Sequence, residues 1–395
     1  MRTVARGLLL LFVFTIPWAY SLDLGDPWGN ITRFLGLVLL LAALPAAIEA
    51  GEVRRPGAIP LLVLALFVWN CCTVFWSVAP AETLVSLRWS FQKMMVVWLV
   101  WELAATPRDL RTLLRWSVAG FAVLAVLTLA DLRSPLALAE GQLRYAATGQ
   151  DPNDVAHFLD LGFPLAALLG ASERSRLGRL LALSYLPLGL AGVLLTASRG
   201  GFLAALVALT GCAVLLYRIY PRSVLAGVLA LPLLLGGVWL AIPHSALERL
   251  ATIPEQLHSG GLNERWSLWS AGWEAFERAP FFGSGAGSFV TAAGTASGDT
   301  AHNTALALAV SGGLCALLLA VAIALLCLRA ALRCQGSLRV ALTVALLVLL
   351  VSSLVSTVEE SRPAWLLIAL TALAGRLAVE ERSKLAECFT GGSPP

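Results

Sequence analysis

In the stretch LLTASRGGFLAAL, Leu194 to Leu206, one arginine stands between two apolar runs, with Ser198 before it and two glycines after it. A guanidinium stays protonated and presents a planar fork of donors that fits phosphate oxygens two at a time. Arg199 is therefore suited to holding a phosphate-bearing group. Gly200 and Gly201, having no side chains, would let such a group approach the start of the next helix, whose dipole also favours an anion. A second arginine, Arg265, falls near the start of NERWSLWSAGWEAFER, where Asn263 can cap a helix and Pro280 follows its end. Its structural alternative is a partnership with Glu264 or Glu274. A third group is an imidazole: DTAHNTALALAVSGG sets His302 and Asn303 at the opening of an apolar run. Histidine, with an ordinary pKa near ~6.5, can take a proton from a hydroxyl, although capping or an interfacial position would also account for it.

Other polar clusters carry less. In GQLRYAATGQDPNDVAHF, Asp151, Asn153 and Asp154 lie just before a helix, so capping is their default role, while His157 and Asp160 fall in the first turns of an apolar run. Asp151, Asp154 and His157 fit no common metal-ligand spacing. Trp266, Trp269, Trp273 and Phe276 recur at helical spacing and read as an interfacial stripe. The glycine-rich PFFGSGAGSF, Pro280 to Phe289, follows no strand, which excludes a nucleotide-binding loop and leaves a pliable segment.

The elements that must position these groups are membrane helices. The 395 residues are 58 % hydrophobic and 13 % charged, with a mean hydropathy of +0.80, far from the range of a soluble domain. Apolar runs at 7–21, 34–50, 59–75, 88–104, 113–131, 155–171, 180–197, 201–217, 223–243, 303–328, 338–357 and 363–378 predict an all-α polytopic protein of about twelve transmembrane helices. The first run lacks a small-residue cleavage site and reads as a helix, not a leader. Most of the 28 Lys and Arg fall in the loops of one side, including Arg54, Arg108, Arg218 and Arg339, which makes that side and both termini cytoplasmic. Arg88, Lys93, Arg144, Arg199, Arg265 and Arg362 belong to the other side, where topology has no use for them; Arg88 and Lys93 could also snorkel from a helix end. The expected organisation is a single transmembrane domain over 1–395 with two long outer loops, 131–155 and 244–301. The seven cysteines show no metal-ligand spacing, and no internal repeat suggests a duplicated transporter.

Taken in order, WSVAPAETL (Trp76 to Leu84), LRYAATGQDPNDVA (Leu143 to Ala156), TASRGG, NERWSLWSAGWEAF, APFFGSGAGSF and HNTALALAVSGG resemble the O-antigen ligase and polymerase family of bacterial envelope enzymes. Length, a single large outer loop and no added domain look most like its ligases. The resemblance implies a GT-C-like glycosyltransferase of the Gram-negative inner membrane, active at the periplasmic face. Its donor would be a glycan on undecaprenyl pyrophosphate and its acceptor a sugar hydroxyl of lipid A-core oligosaccharide; membrane lipids surround it and no nucleic acid takes part. Carried over, Arg199 and Arg265 would bind the donor pyrophosphate and His302 would be the general base, with Arg144, Arg88, Asn303 and Asn153 as possible substrate-binding residues. The family's glutamate before the glycines of the HN-containing helix is missing, since Val310 and Ser311 precede Gly312. Two guanidinium groups could neutralise a departing pyrophosphate, and SLDLGDPWGN offers only Asp23 and Asp26, so the expected reaction is inverting and uses no metal or other cofactor. The alternatives are a polysaccharide polymerase, a protein O-oligosaccharyltransferase and, from another class, a lipid-linked glycan transporter, which would call for charges near the bilayer midplane.

Overall fold

A computed structural model describes residues 2–25, 28–49, 53–134, 144–222, 224–225, 251, 263–295 and 300–390. Among these the chain is all-helical, and its one extended pairing is a bridge between Asp23 and Asn30. The helices are α1 (Arg2–Thr15), α2 (Ile31–Glu49), α3 (Ala58–Cys72), α4 (Pro80–Leu103), α5 (Pro107–Ala130), α6 (Pro152–Ser172), α7 (Arg176–Leu183), α8 (Tyr185–Leu195), α9 (Arg199–Tyr217), α10 (Asn263–Arg278), α11 (Phe289–Ala293), α12 (Thr304–Arg333), α13 (Gly336–Val355) and α14 (Arg362–Thr390). Counting α7 and α8 as one segment, 8 helical segments among the described residues are long and apolar enough to cross a membrane, as a polytopic membrane protein requires. The predicted runs at 7–21, 34–50 and 88–104 correspond to α1, α2 and α4, which are helical but outside that group. The ninth predicted span, 223–243, and residues 244–250 and 252–262 of the long loop lie outside the described residues, apart from Val224 and Leu225.

Several boundaries differ from the apolar runs, each for a local reason. Helix α1 stops at Thr15 because Pro17 lacks an amide hydrogen. Helix α4 begins at Pro80, well before the apolar stretch, because a helix can extend past the bilayer with Glu82 and Arg88 on it. The predicted helix 180–197 is divided at Ser184 into α7 and α8; Pro187 cannot donate to the carbonyl four residues earlier, so the ladder breaks there.

Helix α6 is the axis of one half of the bundle, and its residues from Val155 to Gly170 are buried without a break. From Val155 its sequence is apolar on every face apart from His157 and Asp160, as suits a helix enclosed by other helices. It packs on α5, α8, α9 and α13. Small residues set the closeness of these contacts: a side chain on Gly192 would meet Leu159, one on Gly170 would meet Leu183, and one on Gly201 would overlap Ala156. Tyr185 locks α8 to α6 by donating its hydroxyl to the Leu159 carbonyl at 2.6 Å. In the other half, α12 packs on α3, α13 and α14, and α4 on α3 and α14.

The glycine-rich segment after α10 is not pliable. It is clamped by backbone bonds, Ser284 N to Val310 O (2.8 Å), Gly285 N to Ser311 O (2.9 Å), Leu314 N to Pro280 O (2.8 Å) and Val78 N to Ser284 O (2.9 Å). Helix α12 opens at Gly313 to accept it, with φ 66° and ψ −166°, a conformation open to glycine alone. A Cβ on Gly313 would overlap the Phe281 carbonyl, and one on Gly283 would lie 2.5 Å from the Gly313 nitrogen. Gly313→Ala is expected to cost about 1–3 kcal/mol from backbone strain alone, with the overlap adding to it. A thermal melt in detergent lowered by several degrees is the expected reading.

Candidate active site

All three candidate motifs converge on one end of the bundle. The Ser198 side chain caps α9 by accepting from Gly201 N at 3.2 Å, so Arg199 is the first residue of that helix and sits at the positive end of its dipole. The Asn303 side chain caps α12 by accepting from Leu306 N at 3.0 Å, which fixes His302 one residue ahead of the cap. Arg265 lies in the first turn of α10, which rests on α11 and α12 through Ala275, Phe276, Phe289 and Leu306. Trp269 ties α10 to the His302 loop by donating to the Ala301 carbonyl at 2.9 Å. The aromatic stripe is split: Trp269 faces this packing, while Trp266 and Trp273 are exposed.

The last residues of α13 and the turn beyond it, Leu354 to Val358, hold the pieces together. Thr304 Oγ1 donates to the Ser356 carbonyl (2.9 Å) and accepts from Val358 N (2.9 Å), and Asn303 Nδ2 donates to the Leu354 carbonyl (3.5 Å). On the other side a Cβ at Gly200 would meet Val355 at 2.8 Å, and the Ser356 side chain bonds Asp154 at the start of α6. The same Gly200 position looks onto the His157 ring at 3.7 Å, and Arg265 is close enough to His157 to act on it electrostatically. The starts of α6, α9, α10 and α12 therefore meet around His157 and the exit of α13.

The two glycines after Arg199 have a different use from the one their sequence suggests. Ala156 fills the space beside Gly201, and Val355 and His157 that beside Gly200. They serve helix packing at the start of α9, directly after Arg199. Arg144 is also committed to the protein: its Nε donates to the Thr196 carbonyl (3.1 Å) and its Nη2 to Asn153 Oδ1 (2.6 Å). Asn153 Oδ1 accepts from the Ser198 hydroxyl as well (3.0 Å), so Arg144 and Asn153 brace the turn in front of Arg199. Asp151 caps α6 by accepting from Asn153 N at 2.7 Å. Arg88 is exposed on α4. Burial holds the Arg265 guanidinium below its ordinary value, and among the described residues it forms no salt bridge.

Backbone conformation marks the same two motifs. Ala197 (φ 48°) and His302 (φ 45°) are the non-glycine residues with positive φ among those described. Such positions are costly and concentrate where a side chain must be aimed.

Sequence reasoning singled out Lys93 and Arg362 but missed the carboxyl group beside Lys93, that of Glu359. Lys93, buried in α4, donates from Nζ to the Glu359 carbonyl at 3.0 Å, and Arg362 donates to Gln92 Oε1 at 2.6 Å while its guanidinium lies 5.4 Å and 5.0 Å from the Tyr20 and Trp89 ring centres. Burial raises the Glu359 carboxyl above the ordinary carboxylate range, Glu360 adds to this, and the Lys93 ammonium opposes it. The signal that could have found it is the acidic pair Glu359 and Glu360, separated from Arg362 by Ser361. Below these groups a groove of about 720 Å³ runs between α3, α4, α12, α13 and α14, with Thr300, Thr304 and Glu359 near its mouth and Leu325, Leu328 and Leu347 along its walls. Among the described residues no cluster of His, Cys, Asp and Glu could hold a metal ion.

Residues 185–321 match a family model described as O-antigen ligase. No curated protein matches the chain. The matched stretch runs from the start of α8 into α12 and takes in Arg199, Arg265, the clamped glycine segment and His302. Over residues 185–321, therefore, the chain is similar to the O-antigen ligase family.

Proposed function

We propose that this protein is an O-antigen ligase that transfers a glycan from undecaprenyl pyrophosphate to a sugar hydroxyl of lipid A-core oligosaccharide. The family implies glycosyltransferase-like activity on lipid-linked polysaccharide and lipid A-core. The observation that carries the finer reading is the meeting, at one end of the bundle, of Arg199, Arg265 and the His302 segment beside the mouth of a large apolar groove. Two guanidinium groups stabilise the charge that grows on the pyrophosphate as the glycosidic bond breaks. His302 removes the proton from the acceptor hydroxyl as that oxygen attacks the anomeric carbon from the opposite face, which inverts its configuration. No metal is needed for either step. The groove gives a long lipid tail an apolar berth with its head beside the arginines.

The remaining topology belongs to the same reading. The site faces the periplasm of a Gram-negative inner membrane, both termini are cytoplasmic, the chain is one GT-C-like transmembrane domain, and 131–155 and 244–301 are its outer loops. Arginines at the opposite end of the bundle support this orientation: Arg6 bonds the Leu103 carbonyl, Arg115 pairs with Glu173, and Arg376 holds the Trp101 and Ala104 carbonyls.

A deletion strain tests the function. Loss of all long chains from lipopolysaccharide, with lipid-linked polymer accumulating, is the expected result. A single repeat on the core would instead identify a polymerase, and an unchanged ladder would overturn both. With purified protein and both substrates, transfer is expected to continue in excess chelator; a rate abolished by chelator and restored by one divalent ion would overturn the metal-free mechanism.

A further inference from the structure

At the end of the bundle remote from Arg199, a cleft of about 460 Å³ opens between the last turn of α9 and the first turn of α13. It is lined by Leu215, Arg218 and Ile219 on one side, and by Gln335 to Ser337, Arg339 and Val340 on the other. Two guanidinium groups, one at the end of α9 and one on α13, thus share one concavity, and among the described residues no acidic side chain lines it. Elsewhere at this end three arginines are matched by carboxylates: Arg6 with Asp109 at 3.9 Å, Arg115 with Glu173 at 2.6 Å and Arg376 with Glu380 at 3.6 Å. Arginines that serve only to mark a membrane side are solvated or paired in this way. The pair at the cleft has a shaped space in front of it.

Arg339 is held in place by a hydrogen bond from its Nε to the Cys334 carbonyl at 2.8 Å. Its terminal nitrogens have no protein partner among the described residues. Next to Arg218 on α9, Val214, one turn earlier, and Tyr217 are exposed and form an apolar belt beside the cleft. A small inorganic anion would satisfy the arginines and leave that belt unused. A molecule with an anionic phosphate head and acyl chains satisfies both.

We infer that this cleft binds the headgroup of an anionic phospholipid, its phosphate held between Arg218 and Arg339 and its acyl chains lying along Val214 and Tyr217. The assignment needs only that the chain is embedded in a membrane and is independent of the transfer reaction at the other end.

The test uses the full chain in nanodiscs of phosphatidylcholine doped with phosphatidylglycerol, with bound lipid counted by native mass spectrometry. Arg218→Gln combined with Arg339→Gln is expected to weaken phosphatidylglycerol retention roughly 30-fold. Arg108→Gln with Arg111→Gln, which removes the same charge from exposed positions at the same end, is expected to keep the wild-type count. Equal retention by the cleft variant and the wild type, or equal loss in both double variants, would overturn the site. A third arm adds inorganic phosphate to detergent-solubilised protein. Thermal protection by phosphate at the cleft without any by phosphatidylglycerol would show a free-anion site and overturn the lipid assignment.

Discussion

Arg199→Lys is expected to lower the rate of glycan transfer about 100-fold or more, the scale of losing one preorganised donor to a developing anion, roughly 2.7–4 kcal/mol. The substitution keeps the charge, so a role in simple neutralisation would survive it. What it removes is the planar fork that meets two phosphate oxygens at once. Arg199 is well placed to use such a fork, because its backbone is fixed by the Ser198 cap and the preceding turn is braced through Asn153 to Arg144. The folded state should survive, since Gly200 and Gly201 carry the helix contacts at this place. Steady-state kinetics with lipid-linked donor, alongside a melting curve, make the measurement. A lysine variant within about threefold of wild type would mean that charge alone is enough and would set aside the bidentate role.

Replacing His302 is expected to have an effect of similar or larger size, about 100- to 10,000-fold on turnover, the usual contribution of a positioned general base. The choice of variant matters because His302 has a φ of 45°. Alanine would remove the imidazole and also put an ordinary side chain in a left-handed conformation, which mixes strain with chemistry. Asparagine tolerates that conformation and cannot act as the base. His302→Asn is therefore expected to melt close to wild type and to lose transfer, whereas Asn303, as the α12 cap, should show the reverse when changed to alanine, about 1 kcal/mol of stability with activity reduced only in proportion. Near-normal transfer by His302→Asn would remove the general-base assignment.

Much of the membrane architecture was legible because apolar length is a one-dimensional property: α3, α6, α9, α12, α13 and α14 each begin within a few residues of their apolar runs. The starts of α4 and α5 were not, since charge ends an apolar run without ending a helix. Among the candidate residues, Arg199 and His302 stood out as polar groups at the edges of long apolar stretches, a local signal. The clamp on the Pro280–Phe289 segment left no such trace. It is made of backbone bonds to Val78, Val310 and Ser311, and its only side-chain signature is glycine, which equally marks a loose loop. The Leu354–Val358 turn was invisible for another reason: its partners, Gly200, Asp154 and Thr304, come from three distant parts of the chain, and none of those pairings has a spacing that sequence displays.

The brace of Arg144, Asn153 and Ser198 has a consequence for how the protein is made. All three residues lie at or before position 198, so their bonds can form as soon as α9 has been inserted. The Leu354–Val358 turn is synthesised much later, and with it the surface that receives both Gly200 and Thr304. The turn that fixes Arg199 is therefore complete while the chain that carries His302 and its supporting turn has still to be made.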